Sequence, residues 1–165
     1  MSRWFQTYGF AEVHRDLIIG AYPLDSDDVR MLRGMSVQRV LNLVEDEEYE
    51  PGRRDEIEFA FEVAGISEYR MRLTDYGRLP ADMLEAAVQE VVGWLDEGGL
   101  NYVHCRAGWQ RSAAVAAGAV AVYDELEIED ALDLIQRRKP SADPLPHQRA
   151  DLEAWWSARR AGPVR

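Results

Sequence analysis

Cysteine occurs once in these 165 residues, at Cys105. A single thiol excludes an intramolecular disulfide and any metal centre built from several cysteines, and it fits a reducing compartment. Lysine is equally scarce. Lys139 stands alone among 19 basic residues, so arginine is the default cation here and no arginine is notable by type alone. The 30 acidic residues leave a formal net charge of -11 and an isoelectric point near 4.7. Such a field repels polyanions, which excludes broad binding to nucleic acid or to an anionic membrane; an anionic substrate then needs a local basic pocket. No stretch approaches the roughly 20 apolar residues of a membrane span. The opening "MSRWFQTYGF" also lacks an apolar run of signal-peptide length. These absences predict no stable membrane insertion and a cytoplasmic location.

What is present fits one globular domain over residues 1–165: 47% hydrophobic and 30% charged residues, in a chain long enough to bury a sizeable core. "DLIIGAYP" reads as a short strand ended by Pro23, and "DSDDVRMLRGM" as an acidic helix start with Val29, Leu32 and Met35 on one face. "VQRVLNLV" is a second strand. The acidic "EDEEYEPGRRDEI" then opens a helix running to about Gly65, and "EYRMRL" alternates as a third strand. After the loop "TDYGRLP" comes a long helix stopped by Gly98-Gly99, then the strand "NYVHC", then three more helices. Alternating strands and helices predict an α/β fold with a mostly parallel central sheet flanked by helices, and ligands bind such sheets beyond the carboxyl ends of the strands. Cys105 stands at one of those ends.

The stretch "CRAGWQRS" therefore joins a strand end to a helix start. Successive backbone N–H groups of Arg106, Ala107, Gly108, Trp109, Gln110 and Arg111 can curl around one oxyanion, and the helix N-terminus adds about half a positive charge. The same field lowers the pKa of a thiol placed there. Arg111 offers a planar fork for two phosphoryl oxygens, Gly108 lets the backbone turn, and Ser112 is placed to donate its hydroxyl to the sulfur. A lone cysteine is most often a buried small hydrophobe. The flanking strand and helix favour the reactive reading here.

At His104, Cys105, Arg111 and Ser112 the chain resembles the cysteine-dependent phosphatases, whose signature is H-C-x5-R-S/T. The short chain and loop layout resemble the dual-specificity branch, over most of residues 16 to 157. Within it, "EEYE" (47 to 50), "DYGRLP", "YVHCRAG" and Gln148 are similar to the mitochondrial-type phosphatases of phosphatidylglycerophosphate. The resemblance implies a phosphocysteine intermediate, no cofactor and no metal. Asp75, 30 residues before the cysteine, is the implied general acid, with Asp82 next in line. His104 either orients the loop or is a hydrogen-bonded core histidine. Glu47 or Glu48, if one reaches the site, holds Arg111 or Arg106, while Arg106 with Arg53 and Arg54 forms a positive funnel and Trp109 stands on the rim. Trp109 and the missing targeting segment depart from the lipid enzymes. The expected partner is a phosphorylated substrate: phosphoprotein, phospholipid head group, or an inositol or sugar phosphate. A catalytically silent phosphate-binding module is the rival from another class, and sulfur or arsenate chemistry on a similar loop the third.

Overall fold

The computed structural model describes residues 1–162 as an α/β sandwich around a five-stranded sheet. Its elements are α1 (Arg3–Tyr8), β1 (Phe10–His14), β2 (Leu17–Gly20), α2 (Ser26–Gly34), β3 (Val37–Asn42), a 3-10 turn at Asp46–Glu48, α3 (Arg53–Ala64) and β4 (Ser67–Arg70). These are followed by α4 (Ala81–Glu97), β5 (Leu100–His104), α5 (Arg111–Tyr123), α6 (Ile128–Arg138) and α7 (Pro146–Ala161). Strand order is β1-β2-β5-β3-β4, with every pairing parallel except the β1–β2 hairpin. The mostly parallel sheet and the flanking helices are as the sequence pattern predicts.

Register is what places the site. Gly20 of β2 and Asn42 of β3 both pair with His104 of β5, so three parallel strands end level, with β5 in the middle. Cys105 is the next residue, and it emerges at the centre of the sheet's carboxyl edge. Behind it, α5 is buried from Arg111 through Ala121. A helix apolar all round belongs inside a core, and its alanines let α4, α6 and α7 close around it. At Gly118 a Cβ would come within 2.7 Å of Val88 and 3.2 Å of Trp155, so that close approach depends on glycine. The opposite face of the sheet packs α1, α2 and α3 through Phe5, Val29, Leu32, Ile57 and Phe61.

The N-terminal helix α1 and the edge strand β1 lie before the point where the sequence pattern starts, and the strand expected over 16 to 23 is confined to Leu17–Gly20. The acidic segment after β3 does not open a helix directly. It makes the 3-10 turn, and α3 starts only beyond Pro51 and Gly52, whose φ of 77° is one that glycine reaches without Cβ strain. No helix among the described residues is long and apolar enough to cross a membrane.

Candidate active site

Five elements converge at the carboxyl edge of the sheet: the β5–α5 loop, the loop after β3, the loop before α4, α1, and the N-terminus of α7. Cys105 is 3% exposed at the base of a pocket of about 230 Å3, lined also by Trp4, Tyr8, Asp75, Tyr76, Arg106, Ala107, Trp109, Gln110 and Arg111. A wider groove of about 960 Å3 between the Asp75 loop, α4 and α7 holds none of these side chains. Depth beside a thiol, rather than volume, marks the chemical site.

Burial alone would push the Cys105 thiol up. The charge of Arg111, the Ser112 hydroxyl at 3.3 Å, and the backbone N–H groups of Ser112 and Gln110 outweigh burial, and the net pKa falls below that of an ordinary cysteine. The N-terminus of α5 thus points its free donors at sulfur and favours the thiolate. Beneath the loop, His104 donates its Nδ1 proton to the Cys105 carbonyl at 3.1 Å. Complete burial, with the charges of Arg54, Arg111 and Arg70 adding to it, lowers His104 to about 3, so it stays neutral at physiological pH. Both readings of His104 meet in this geometry: it is a buried core histidine, and its one hydrogen bond fixes the start of the loop.

Arg111 is 1% exposed, and its guanidinium is held from several sides. Nη1 and Nη2 donate to Glu48 Oε2 at 2.8 Å and Oε1 at 2.7 Å, Nη1 donates to the Leu73 carbonyl at 2.8 Å, and Nη2 donates to Asp75 Oδ1 at 3.0 Å. Nε has no partner among the described residues. A two-pronged pair with Glu48 orients the fork and leaves an unused donor for an incoming anion. Glu48 is fixed in turn by the 3-10 turn, where its Oε2 accepts the Glu45 N–H at 2.8 Å. Buried Asn42, at the end of β3, braces that segment by accepting the Val44 N–H at 2.9 Å and donating to the Tyr49 hydroxyl at 2.9 Å.

Gly108 takes φ of 76°, and a Cβ there would sit 2.5 Å from the Gly20 carbonyl carbon and 2.7 Å from its Cα. Backbone cannot move aside as a side-chain tip can. Gly108→Ala is expected to cost on the order of 1–3 kcal/mol and to deform the loop, because both left-handed strain and overpacking act at one atom. Thermal denaturation alongside a phosphate-binding assay checks this; an unchanged melting temperature with unchanged phosphate affinity would contradict the close approach.

Several expectations need correction. Glu47 is exposed and makes no side-chain hydrogen bond among the described residues, because the 3-10 turn directs it outward while turning Glu48 in. Arg54 does not join a funnel at the pocket: Glu68 on β4 captures it, Glu58 lies within 3.8 Å, and its guanidinium lies 6.0 Å from the Tyr49 ring centroid. Arg53 pairs with Glu56 and borders a neighbouring cleft. Of the three arginines only Arg106 lines the pocket, its guanidinium 5.3 Å from the Trp4 ring centroid. Asp82 lies exposed in the first turn of α4, outside the pocket lining.

Trp109 stands on the rim at 41% exposure, in edge contact with Tyr8 at 5.2 Å. Sequence reasoning missed the rest of that wall. Trp4 and Tyr8 come from α1, Trp4 donating Nε1–H to the Arg106 carbonyl at 2.9 Å, and Tyr76 follows the candidate acid. Three aromatics in the first eight residues were the available signal. Asn42 carried another: one amide inside the apolar run "VLNLV".

A thiol, an arginine and a carboxyl group thus share one pocket on a strand–loop–helix cradle at the carboxyl edge of the sheet. No family model matches the chain. Among curated proteins it is similar to the amyloplastic phosphoglucan phosphatase DSP4 of Castanea sativa, 26% identical over 155 residues that cover 85% of this chain and 40% of that protein. It is also similar to phosphatidylglycerophosphatase and protein-tyrosine phosphatase 1 of Mus musculus, 25% identical over 140 residues that cover 84% of this chain and 72% of that one. The solved structure of Tk-PTP in its active form aligns with a TM-score of 0.79 at 20% identity, covering 90% of this chain and 96% of the other. That of PTPMT1 in complex with PI(5)P aligns at 0.75 and 24% identity, covering 92% and 98%. The chain thus resembles the cysteine-dependent dual-specificity phosphatases in sequence and fold, the phosphatidylglycerophosphatase type among them. It spans less than half the length of the Castanea sativa relative.

Proposed function

We propose that the protein is a cysteine-dependent phosphatase that hydrolyses phosphomonoesters through a phosphocysteine intermediate. The observation that carries this reading is the shared pocket: a Cys105 thiol lowered by its own loop, Arg111 locked by Glu48 with Nε unused, and Asp75 within 3.0 Å of Arg111. In the first step the thiolate attacks phosphorus, the ester P–O bond breaks, and Asp75 gives its proton to the leaving oxygen. Arg111 and the loop N–H groups carry the charge spread over the equatorial oxygens. In the second step Asp75, now a carboxylate, takes a proton from water as the water oxygen attacks phosphorus. The P–S bond breaks, inorganic phosphate leaves, and Ser112 donates a hydrogen bond to the departing thiolate.

Substrate class follows from the wall. Trp4, Tyr8, Tyr76 and Trp109 offer apolar faces above the phosphate position, and Arg106 is the nearest lining cation other than Arg111. Such a rim suits a phosphoprotein side chain or a phospholipid head group better than a polyhydroxylic sugar phosphate, which would leave the aromatic surface unused. The phosphatidylglycerophosphatase of Mus musculus and the PI(5)P complex of PTPMT1 support including the lipid class, whereas the Castanea sativa relative is a phosphoglucan phosphatase, so sugar phosphates belong in the comparison. A panel comparing kcat/KM for phosphotyrosine and phosphoserine peptides, phosphoinositides, phosphatidylglycerophosphate and sugar phosphates tests this. Dominance of sugar phosphates would overturn the substrate assignment, and no turnover of any phosphomonoester would leave only a phosphate-binding module.

Asp75→Asn separates the acid role from a structural one. Hydrolysis of alkyl phosphates, whose alkoxide must be protonated, is expected to fall by about 10²-fold or more, within the range for general acid catalysis. In kcat/KM, which reports the step that releases the alcohol or phenol, activated aryl phosphates should lose much less, while slow hydrolysis of the shared phosphocysteine limits kcat for both. Equal losses of kcat/KM on both would make Asp75 a structural partner of Arg111 and nothing else.

A further inference from the structure

The segment carrying Asp75 has no regular secondary structure, yet side chains of a single distant helix hold its backbone. In α7, Asp151 Oδ2 accepts the Leu79 N–H at 2.9 Å, and the same carboxylate takes Arg78 through Nε, at 2.9 and 3.1 Å, and through Nη2. His147 donates Nε2–H to the carbonyl oxygens of Tyr76 at 2.8 Å and Gly77 at 3.2 Å. Gln148, fully buried, donates Nε2–H to the Gly77 carbonyl at 3.2 Å while its Oε1 accepts the Leu145 N–H at 3.0 Å. Backbone groups of a surface loop are ordinarily satisfied by water. Here the groups at 76, 77 and 79, immediately after Asp75, are taken up by α7.

Tyr76 adds a second observation. Its φ of 56° is left-handed, a conformation that strains a residue with a Cβ and persists only where the surroundings impose it. The Gly77 N–H closes a local turn onto the Thr74 carbonyl at 2.9 Å, and both the Tyr76 carbonyl and the next one are His147 acceptors, so the turn and α7 together hold it. The twist lies directly after Asp75, whose carboxylate meets Arg111 in the pocket. A loop fixed in this way does not need to be ordered at the moment of reaction.

From this arrangement we infer that Asp151, assisted by His147 and Gln148, is a positioning residue that holds the acid loop in its working conformation before substrate arrives. The inference rests on the reading of Asp75 as the acid. Asp151 does not line the Cys105 pocket; it acts through the backbone at Leu79 and the side chain of Arg78.

The test uses the full chain with glycerol phosphate and para-nitrophenyl phosphate as substrates and inorganic phosphate as inhibitor. Asp151→Ala is expected to lower kcat/KM for the alkyl ester by about 10-fold or more, by misplacing the proton donor in the first step. For the aryl ester kcat/KM should stay within about 3-fold, as should the inhibition constant of phosphate, because the phenol needs no proton and the Cys105 loop is untouched. Asp151→Asn keeps an acceptor for the Leu79 N–H and should recover most of the loss. If Asp151→Ala does not fold, His147→Ala carries the same expectation with a smaller loss. In an Asp75→Asn background Asp151→Ala should remove nothing further from alkyl turnover. Equal losses on both esters, or weaker phosphate inhibition in step with them, would overturn the positioning role. Should Asp75→Asn discriminate between the esters while Asp151→Ala and His147→Ala do not, the inference fails and the acid assignment stands. Should Asp75→Asn not discriminate, the acid assignment fails and takes the inference with it.

Discussion

Cys105→Ser is expected to leave no measurable turnover while phosphate still binds. The pocket is built to stabilise an anion on sulfur: Arg111, the Ser112 hydroxyl and the N–H groups of Gln110 and Ser112 overcome the effect of complete burial on the thiol. A serine hydroxyl begins many pH units further from ionisation, and no side chain in the pocket is paired with it as a base, so the same field cannot deliver an alkoxide. A loss of at least about 10³-fold in kcat follows, and the loop's N–H groups and Arg111 should hold phosphate about as before. The wild type carries a matching signature. With the thiol pKa lowered, kcat/KM should rise with pH through that lowered value and reach its plateau below the range where an ordinary cysteine ionises. Retention of more than a few per cent of wild-type kcat in Cys105→Ser, measured with a chelator present, would remove covalent catalysis from the account.

Arg111→Lys is the second large effect, and it separates shape from charge. Lysine restores one positive centre but cannot place two parallel N–H groups on Glu48 while reaching the Leu73 carbonyl, Asp75 and an anion. Glu48, whose side chain is only 9% exposed, would then sit incompletely paired beside the phosphate. A carboxylate repelling the substrate and a misplaced cation act in the same direction, so kcat should fall on the order of 10² or more with a rise in KM. Glu48→Gln offers a control of the opposite kind. It keeps one acceptor for the fork and removes the repulsion, so its loss should be much smaller than that of Arg111→Lys. A kinetically silent Arg111→Lys would mean that the loop does not cradle the transferring phosphoryl group.

The shared pocket of Cys105, Arg111 and Ser112 was legible because they lie in one contiguous stretch whose secondary structure is fixed by its own pattern, an apolar strand before it and an alanine-rich helix after it. The place of Asp75 beside Arg111 was expected from the family resemblance, with its position after a strand and ahead of a helix in agreement. Glu48 and Glu47 could not be told apart, since their difference is one step of rotation in a 3-10 turn braced by Asn42 and Tyr49. Arg54 looked available because its captor, Glu68, lies 14 residues away on another element. Beyond Trp109 the aromatic wall went unread for the same reason: α1 is six residues long, too short for a helical period to register, and Trp4 and Tyr8 reach Arg106 and Trp109 only through the fold. The clamp by α7 joins residues about 70 positions apart and left no local trace beyond Gln148.

The measurement that bears most directly on the covalent mechanism is capture of its intermediate. Asp75→Asn, supplied with an activated aryl phosphate, should form the phosphocysteine and hydrolyse it slowly, because the residue that activates water is gone while the leaving group needs no proton. Acid quenching followed by peptide mass spectrometry is predicted to show the mass of one phosphoryl group on the peptide containing Cys105, with release of the phenol in a burst matching the enzyme concentration. An enzyme that turns over the same substrate with no burst and no phosphoryl group on Cys105 would contradict the account.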